Sequence, residues 1–306
     1  MAGKLTIVLP GLGVILSQEI ITGRLPTSLK QILKHGKKTP QPGSLDRCLF
    51  ELYSQTPLSG TDLPDMALAG EDASIGVSPC YLRADRDQLR LFGPDSLGIN
   101  TREAQALIAL IQPLFDGDLT LESADKWRLS YTEPPQATFT ALADVVGKNV
   151  QPYLPAGEQA SSWIRLWNEI QMVLHECEIN EQRALAGKPP INSVWFWGLG
   201  EFEADRRRWQ HVMGDYPLLT ELSNRVGLSC QPSPIEMGAL VRGNYLRLMP
   251  EFSLEQDIES QLAALEQTVF KPIMQQLKWR KCSQASFVFP ELARYEVSTL
   301  SAWKQW

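Results

Sequence analysis

Residues 5–9 (LTIVL) form a β-rich apolar run with no polar alternation, and a Gly11-Leu12-Gly13 turn follows it almost at once. That is the pattern of a strand buried on both faces of a parallel sheet. Val194 to Trp197 repeats the arrangement and ends in Gly198-Leu199-Gly200. Two such strands predict neighbours in one sheet, with their carboxyl ends opening on a common cleft. A lone Gly-x-Gly fits a tight turn at a strand end as well as a nucleotide loop.

Between Thr39 and Gly76 the chain is rich in Pro, Gly, Ser and Asp around one short apolar segment, Cys48 to Tyr53, which predicts loops flanking a helix and a boundary near Gly76. Cys80–Leu82 and Gln88–Phe92 then read as strands on either side of a charged turn, Ala84-Asp85-Arg86-Asp87. Asn100 and Glu103 have capping-box spacing ahead of Ala104, Leu107, Ile108 and Ile111, the apolar stripe of a helix. Leu119–Leu121 and Lys126–Tyr131 add two strands, and 158–178 a helix with Trp163, Trp167, Ile170 and Leu174 on one face. The middle segment is therefore a small α+β unit. Pro189-Pro190 marks a rigid return toward the sheet. Further on, Ser253 and Gln256 form a second capping-box pair before Leu254, Ile258, Leu262, Leu265 and Val269, a helix that Pro272 should kink or end.

Composition narrows the class more than it identifies it. The 306 residues are 43% hydrophobic and 21% charged, enough for one large α/β domain or two smaller ones. A formal charge of −6 gives no general attraction to nucleic acid or anionic lipid, so either would need a local basic patch. Five cysteines without a C-x-x-C pair read as reduced, mostly buried thiols and not as a zinc knuckle or disulfide framework. The first apolar run is too short for a signal h-region or a membrane span. The expectation is a soluble cytoplasmic protein without a membrane partner.

Few residues stand out as candidate chemistry. Arg24, Lys30, Lys34, Lys37 and Lys38, interleaved with Leu29, Ile32 and Leu33, form either a solvated helix face or a docking surface. Arg83, Asp85, Arg86 and Asp87 suit an anion or partner, or pair with each other as a solvated turn. Trp303 and Trp306 lie in a charged tail, where large aromatics mark a partner site or pack back on the core.

The stretch 168–200, with Asn-Glu-Ile-Gln-Met at 168–172, Glu178-Ile179-Asn180, Gly187-Lys188-Pro189-Pro190, Asn192 and Trp-Phe-Trp-Gly-Leu-Gly, resembles the cofactor-independent phosphoglycerate mutases of archaeal type. These belong to the alkaline phosphatase superfamily. The chain looks closer still to their short bacterial relatives, the RpfE-type regulatory proteins. Pro79 to Asp87 resembles a second shared run. The likeness is specific over about 76–200, thin before it and almost absent after Arg225. It implies a truncated, doubly wound α/β core of alkaline phosphatase type, residues 1–75 and 191–306, with a small α+β domain inserted at 76–190. It also implies ligand-facing roles for Trp127 and Arg128, the aromatic and basic pair of that insertion, and for Asn192.

The chemistry of the mutases is harder to place. Their phosphoryl transfer uses two metal ions and a serine nucleophile, and the first strand ends in Asp-Gly-Leu-Gly, whose aspartate holds metal. Here the stretch is Pro10-Gly11-Leu12-Gly13, and proline has no ligating side chain. The chain has three histidines, His35, His175 and His211, with none after His211, where the mutases carry an Asp-His. Ser44, in Pro42-Gly43-Ser44, matches the position of the mutase nucleophile. The next residues are Leu45-Asp46-Arg47-Cys48 and not Asp-Thr-Ala-His, and a serine without metal or base is a poor nucleophile. The expectation is a regulatory module that needs no metal or other cofactor and binds another protein or a small phosphorylated or anionic ligand. The alternative is an active phosphoglycerate mutase or related phosphotransferase using Ser44 with Mn²⁺ or Zn²⁺.

Overall fold

The computed structural model describes residues 3–17, 25–41, 43–56, 58, 61–64, 74–86, 88–200, 202–231, 243–290 and 292–300. The chain divides into two compact units, Met1–Thr56 with Glu203–Trp306, and Pro57–Phe202. In sequence the second lies between the two segments of the first.

The first segment opens with strand β1 (Gly3–Val8), which turns sharply into helix α1 (Leu12–Ser17). Gly11 makes the turn possible: its φ is +75°, and a Cβ there would stand 2.5 Å from the Phe252 carbonyl oxygen. Helix α2 (Thr27–His35), strand β2 (Lys37–Pro40) and helix α3 (Leu45–Tyr53) complete the segment.

The second unit contains β3 (Ser74–Asp85), β4 (Gln88–Phe92), α4 (Thr101–Ile111), β5 (Leu119–Ser123), β6 (Lys126–Ser130), the short α5 (Leu142–Val145), α6 (Ala160–His175), α7 (Glu178–Leu185) and β7 (Ser193–Trp197). Its strands form an antiparallel sheet in the order β4-β3-β6-β5, with β7 pairing β3 from Gly76↔Trp197 to Cys80↔Ser193. Ile75, Val77 and Leu129 from the sheet pack with Leu107 and Ile111 of α4 and Trp167, Ile170 and Leu174 of α6. The Asn100–Glu103 capping box is present in full. Glu103 also meets the Arg183 guanidinium at 2.9 Å, and Arg183 donates further to the carbonyls of Leu97 and Pro189.

The closing segment returns to the first unit with β8 (His211–Met213), α8 (Pro217–Arg225), β9 (Cys230–Gln231), β10 (Asn244–Leu248), α9 (Ile258–Leu265), α10 (Lys271–Lys278), β11 (Cys282–Phe289) and β12 (Ala293–Ser298). The sheet order is β2-β12-β11-β1-β10-β8-β9. From β11 to β9 the strands run parallel, and β12 and β2 are antiparallel at the edge. Leu5, Ile7 and Leu9 face a core built with Leu29 and Ile32 of α2 and Ile273 and Leu277 of α10. Val8, on the opposite face, is equally buried, so the sheet is covered on both sides at its centre. Among the described residues no helix is long and apolar enough to cross a membrane.

Several sequence expectations need correction. The strand at 193–197 does not neighbour β1, whose partners are β10 and β11; it belongs to the second unit's sheet. The expected boundary at Gly76 falls inside the twelve-residue β3, and the division lies instead near 56 and 203. The helix expected over 158–178 is broken at Glu176 and Cys177 into α6 and α7. The second capping box does not form: Asp257 caps α9 through the Ser260 amide, while Gln261 holds the backbone of Ser253. Pro272 does not end its helix. A π-helical turn, Glu266–Phe270, widens the path just ahead of it and α10 continues. That turn also aims Glu266 at α2, where its carboxylate accepts from the Ser28 amide (3.2 Å) and hydroxyl (2.7 Å).

Candidate functional site

In the first unit, the carboxyl end of the parallel strands is where open α/β sheets place their ligands. β1 delivers Pro10 there, and the Pro10 carbonyl accepts from the Phe252 amide at 2.9 Å. Ser44 precedes α3, is buried, and uses its Oγ to accept from the Arg47 amide at 3.3 Å. It is the helix N-cap, a role that suits serine before a helix. Asp46 accepts from the Tyr216 hydroxyl at 2.7 Å.

The basic groups of this end come from later in the chain. Arg294 sits on β12 between Val288 of β11 and Thr39 of β2, and its Nε is buried without a hydrogen-bond partner among the described residues. Arg208 donates to the carbonyls of Glu51 (3.3 Å) and Ser54 (2.9 Å) and lies 5.9 Å from the Trp209 ring centre. Gln41 links the region, donating its side chain to the Glu51 carboxylate and its amide to the Leu292 carbonyl. Burial, and then the charge of Arg294, lower the pKa of Arg208. Burial pushes the Cys48 thiol up to about 12, with Arg294 opposing it only in part, so Cys48 is not a thiolate nucleophile at neutral pH. The sequence reading missed Arg208 and Arg294. The Arg206-Arg207-Arg208-Trp209 run was a visible signal for the first, and Arg294 had none.

These residues do not fit a two-metal site. Pro10 offers a backbone carbonyl already in use, and Ser44 is engaged as a cap. His35, His175 and His211 lie on three different elements, with His211 stacked on Tyr245 at 4.5 Å. Among the described residues no three His, Cys, Asp or Glu side chains converge to hold a metal.

The second unit disperses the ligand candidates. Trp127 is fully buried in the core, its Nε1 donating to the Ala124 carbonyl at 3.2 Å, so it presents no ring to a ligand. Arg128 pairs with Glu122 at 3.6 Å. Arg83 stacks on Phe92 at 4.7 Å, and Asp85 lies 3.7 Å from Arg90. Arg128 is in register with Gly76, seven residues along β3 from Arg83, which separates the two arginines by roughly 23 Å of strand. They cannot clamp one small molecule. Asn192 accepts from the Leu82 amide (2.8 Å) and donates to the Leu82 carbonyl (2.9 Å), extending the β3–β7 ladder by one step. Lys34 and Lys37 are exposed, on α2 and β2 respectively, while Arg24, Asp87, Trp303 and Trp306 lie outside the described residues.

The Gly198-Leu199-Gly200 loop is an anion nest already filled by the chain itself. The Asp62 carboxylate accepts from the amides of Gly198 (3.1 and 3.0 Å), Leu199 (2.9 Å) and Leu63 (2.9 Å). Gly200 permits the approach, since a Cβ there would come within 2.6 Å of the Leu63 carbonyl carbon.

Comparison with known proteins points to the mutases. No protein-family model matches the chain. A Geobacter sulfurreducens protein named "Probable 2,3-bisphosphoglycerate-independent phosphoglycerate mutase" is 40% identical over 154 residues, 48% of this chain and 38% of that protein. The 2,3-bisphosphoglycerate-independent phosphoglycerate mutase of Methanosarcina barkeri is 37% identical over 57 residues, 19% of this chain and 14% of that protein. The chain thus spans well under half the length of these relatives. The chain is homologous to the cofactor-independent phosphoglycerate mutases over the matched segment. A solved cofactor-independent phosphoglycerate mutase from Thermoplasma acidophilum aligns over 97% of this chain and 90% of that one, at 12% identity and a TM-score of 0.42.

Proposed function

We propose that this chain is a phosphoglycerate-mutase-like regulatory module that has lost metal-dependent phosphoryl transfer and binds an anion at the carboxyl end of the first unit's sheet. In this reading the first unit is a reduced core of alkaline phosphatase type and 57–202 is its insertion. The role proposed is that of an RpfE-type regulatory protein acting in the cytoplasm. The observation that carries the proposal is Pro10, which stands where the resemblance places a metal-ligating aspartate. Ser44 supports it, because its hydroxyl oxygen is committed as the N-cap of α3, accepting from the Arg47 amide. Asp62 supports it further by filling the second glycine loop. The partner of the anion site is a phosphate or carboxylate, on another protein or on a small phosphorylated molecule, and the cation offered at this end is Arg294, whose Nε has no hydrogen-bond partner among the described residues.

Metal analysis of the purified chain, paired with a 3-phosphoglycerate turnover assay, tests the proposal directly. The expected result is metal far below stoichiometric and no turnover, with Ser44→Ala changing neither. Stoichiometric manganese or zinc with Ser44-dependent turnover would establish the enzyme instead. A thermal shift on adding inorganic phosphate, absent in Arg294→Ala, checks the binding half of the reading.

A further inference from the structure

Helix α10 ends in a tip that folding alone does not explain. Its last turn closes as a Schellman motif, with the Arg280 amide donating to the Leu277 carbonyl (3.1 Å) and the Lys281 amide to the Gln276 carbonyl (3.0 Å). The left-handed position of this motif favours glycine, yet Arg280 occupies it with φ +55°. Trp279, just before it, is 66% exposed. Every other described tryptophan is buried or half-buried.

The indole has a cation on its ring and further basic residues beside it in the chain. Lys278, Arg280 and Lys281 are all exposed, and the Lys281 ammonium lies 5.4 Å from the Trp279 ring centre. Lys4 is exposed on the neighbouring strand, one residue beyond the Gly3↔Cys282 pair. From Gln267 to Pro290 the chain carries four basic residues and no acidic one, against an overall charge of −6. The negative end of the helix dipole accounts for attraction to cations at this point. It does not account for an exposed indole.

We propose that this tip, Trp279 with Lys278, Arg280, Lys281 and Lys4, docks on an anionic lipid surface. An indole settles at the boundary between headgroups and acyl chains, and flanking cations meet lipid phosphates and carboxylates. This is the local basic patch that a net-acidic chain needs to approach such a surface. Single-stranded nucleic acid would call for a basic groove with successive stacking rings, whereas here one ring stands on a convex helix end. The tip is at the amino end of β1 and β11, opposite Pro10 and Arg294, so docking leaves the carboxyl-end site facing away from the bilayer.

Sedimentation of the full chain with phosphatidylserine-rich and pure phosphatidylcholine vesicles tests this. Binding is expected to the first and not the second, to weaken steeply with salt, and to fall about fivefold for each cation removed. Trp279→Ala and Lys278→Glu/Lys281→Glu should lose most of it. Arg280→Gly separates binding from folding, because it should raise thermal stability while weakening vesicle binding. Absence of binding to phosphatidylserine-rich vesicles at low salt overturns the proposal, as does unchanged binding by the Trp279 and double-lysine variants. Tighter Trp279-dependent binding of polyuridylate or polyglutamate overturns it in favour of nucleic acid or an acidic protein.

Discussion

Asp62 accepts the Gly198 amide through both carboxylate oxygens, at 3.1 and 3.0 Å, across 136 residues of sequence. The bond closes a loop that would otherwise present unpaired backbone donors in a buried setting. Removing the carboxylate strands the Leu199 and Leu63 amides as well. Asp62→Ala is therefore expected to destabilise the second unit by about 2–4 kcal/mol, since each buried donor left unsatisfied costs roughly 1–3 kcal/mol. Urea unfolding measures it, and a loss below 1 kcal/mol would show that the nest does not depend on this acceptor.

Arg183 is 1% exposed and ties three separate segments together through Glu103, Leu97 and Pro189. Arg183→Met removes the ion pair from Glu103, which among the described residues keeps only the Asn100 amide, and leaves two carbonyls without this donor. The expected cost is about 3–5 kcal/mol, the range for breaking a buried ion pair from one side. Arg183→Met/Glu103→Gln should recover part of the loss, and a double-variant cycle reads the coupling.

Asn192 clasps the Leu82 backbone and so serves the strand ladder. Asn192→Ala should lower stability by about 1–3 kcal/mol through the unpaired Leu82 backbone. The phosphate-induced thermal shift should remain at its wild-type size in this variant. A lost shift with unchanged stability would return Asn192 to the binding site.

Local pattern made much of this fold legible. The Asn100–Glu103 box, the apolar stripe of α6 and the uninterrupted run of β1 each depend on spacing within a few residues, and each formed. What the pattern did not carry was the identity of distant partners. β7 and β1 share one sequence signature, yet they sit in different sheets because pairing is chosen by the strands that meet them. Ser253-Gln256 and Asp257-Ser260 both carry capping residues, and Gln261 decided between them by clasping the Ser253 backbone. Trp127 and Asn192 looked like ligand residues by motif, but the burial of one and the Leu82 bonds of the other appear only in three dimensions. Pro10, a residue without a ligating side chain where the resemblance implies an aspartate, was legible, whereas the Arg294 Nε, without a hydrogen-bond partner among the described residues, was not.

Buried thiols make the protein sensitive to alkali. Burial raises Cys48 from the ordinary thiol value of 9.0 to about 12, and raises Cys80 as well. Unfolded thiols ionise above pH 9 while these stay protonated in the fold, so the unfolded state binds fewer protons and stability falls as pH rises from 9 toward 12. The urea midpoint should drop between pH 8 and roughly pH 10.5, less steeply in Cys48→Ala/Cys80→Ala. In the native protein at pH 8, the half-buried Cys230 should react with a thiol reagent before the four buried cysteines. Equal labelling of all five would contradict the packing around Cys48 and Cys80.

Introducing one carboxylate at Pro10 should not create a metal site. Pro10→Asp keeps the carbonyl that accepts from Phe252, so the backbone of the β1 turn can persist. The loss of proline's rigidity costs about 0.4–1 kcal/mol through the unfolded chain. A divalent transition metal needs several N or O donors converging at about 2.0–2.2 Å, and one aspartate beside a capped Ser44 supplies too few. Isothermal titration with Mn²⁺ or Zn²⁺ should therefore detect no stoichiometric binding to Pro10→Asp, as for the parent chain. Tight binding by the variant alone would mean that the remaining ligands survive around Pro10. The substitution at the end of β1 would then be the sole lesion separating this chain from a metal-dependent enzyme.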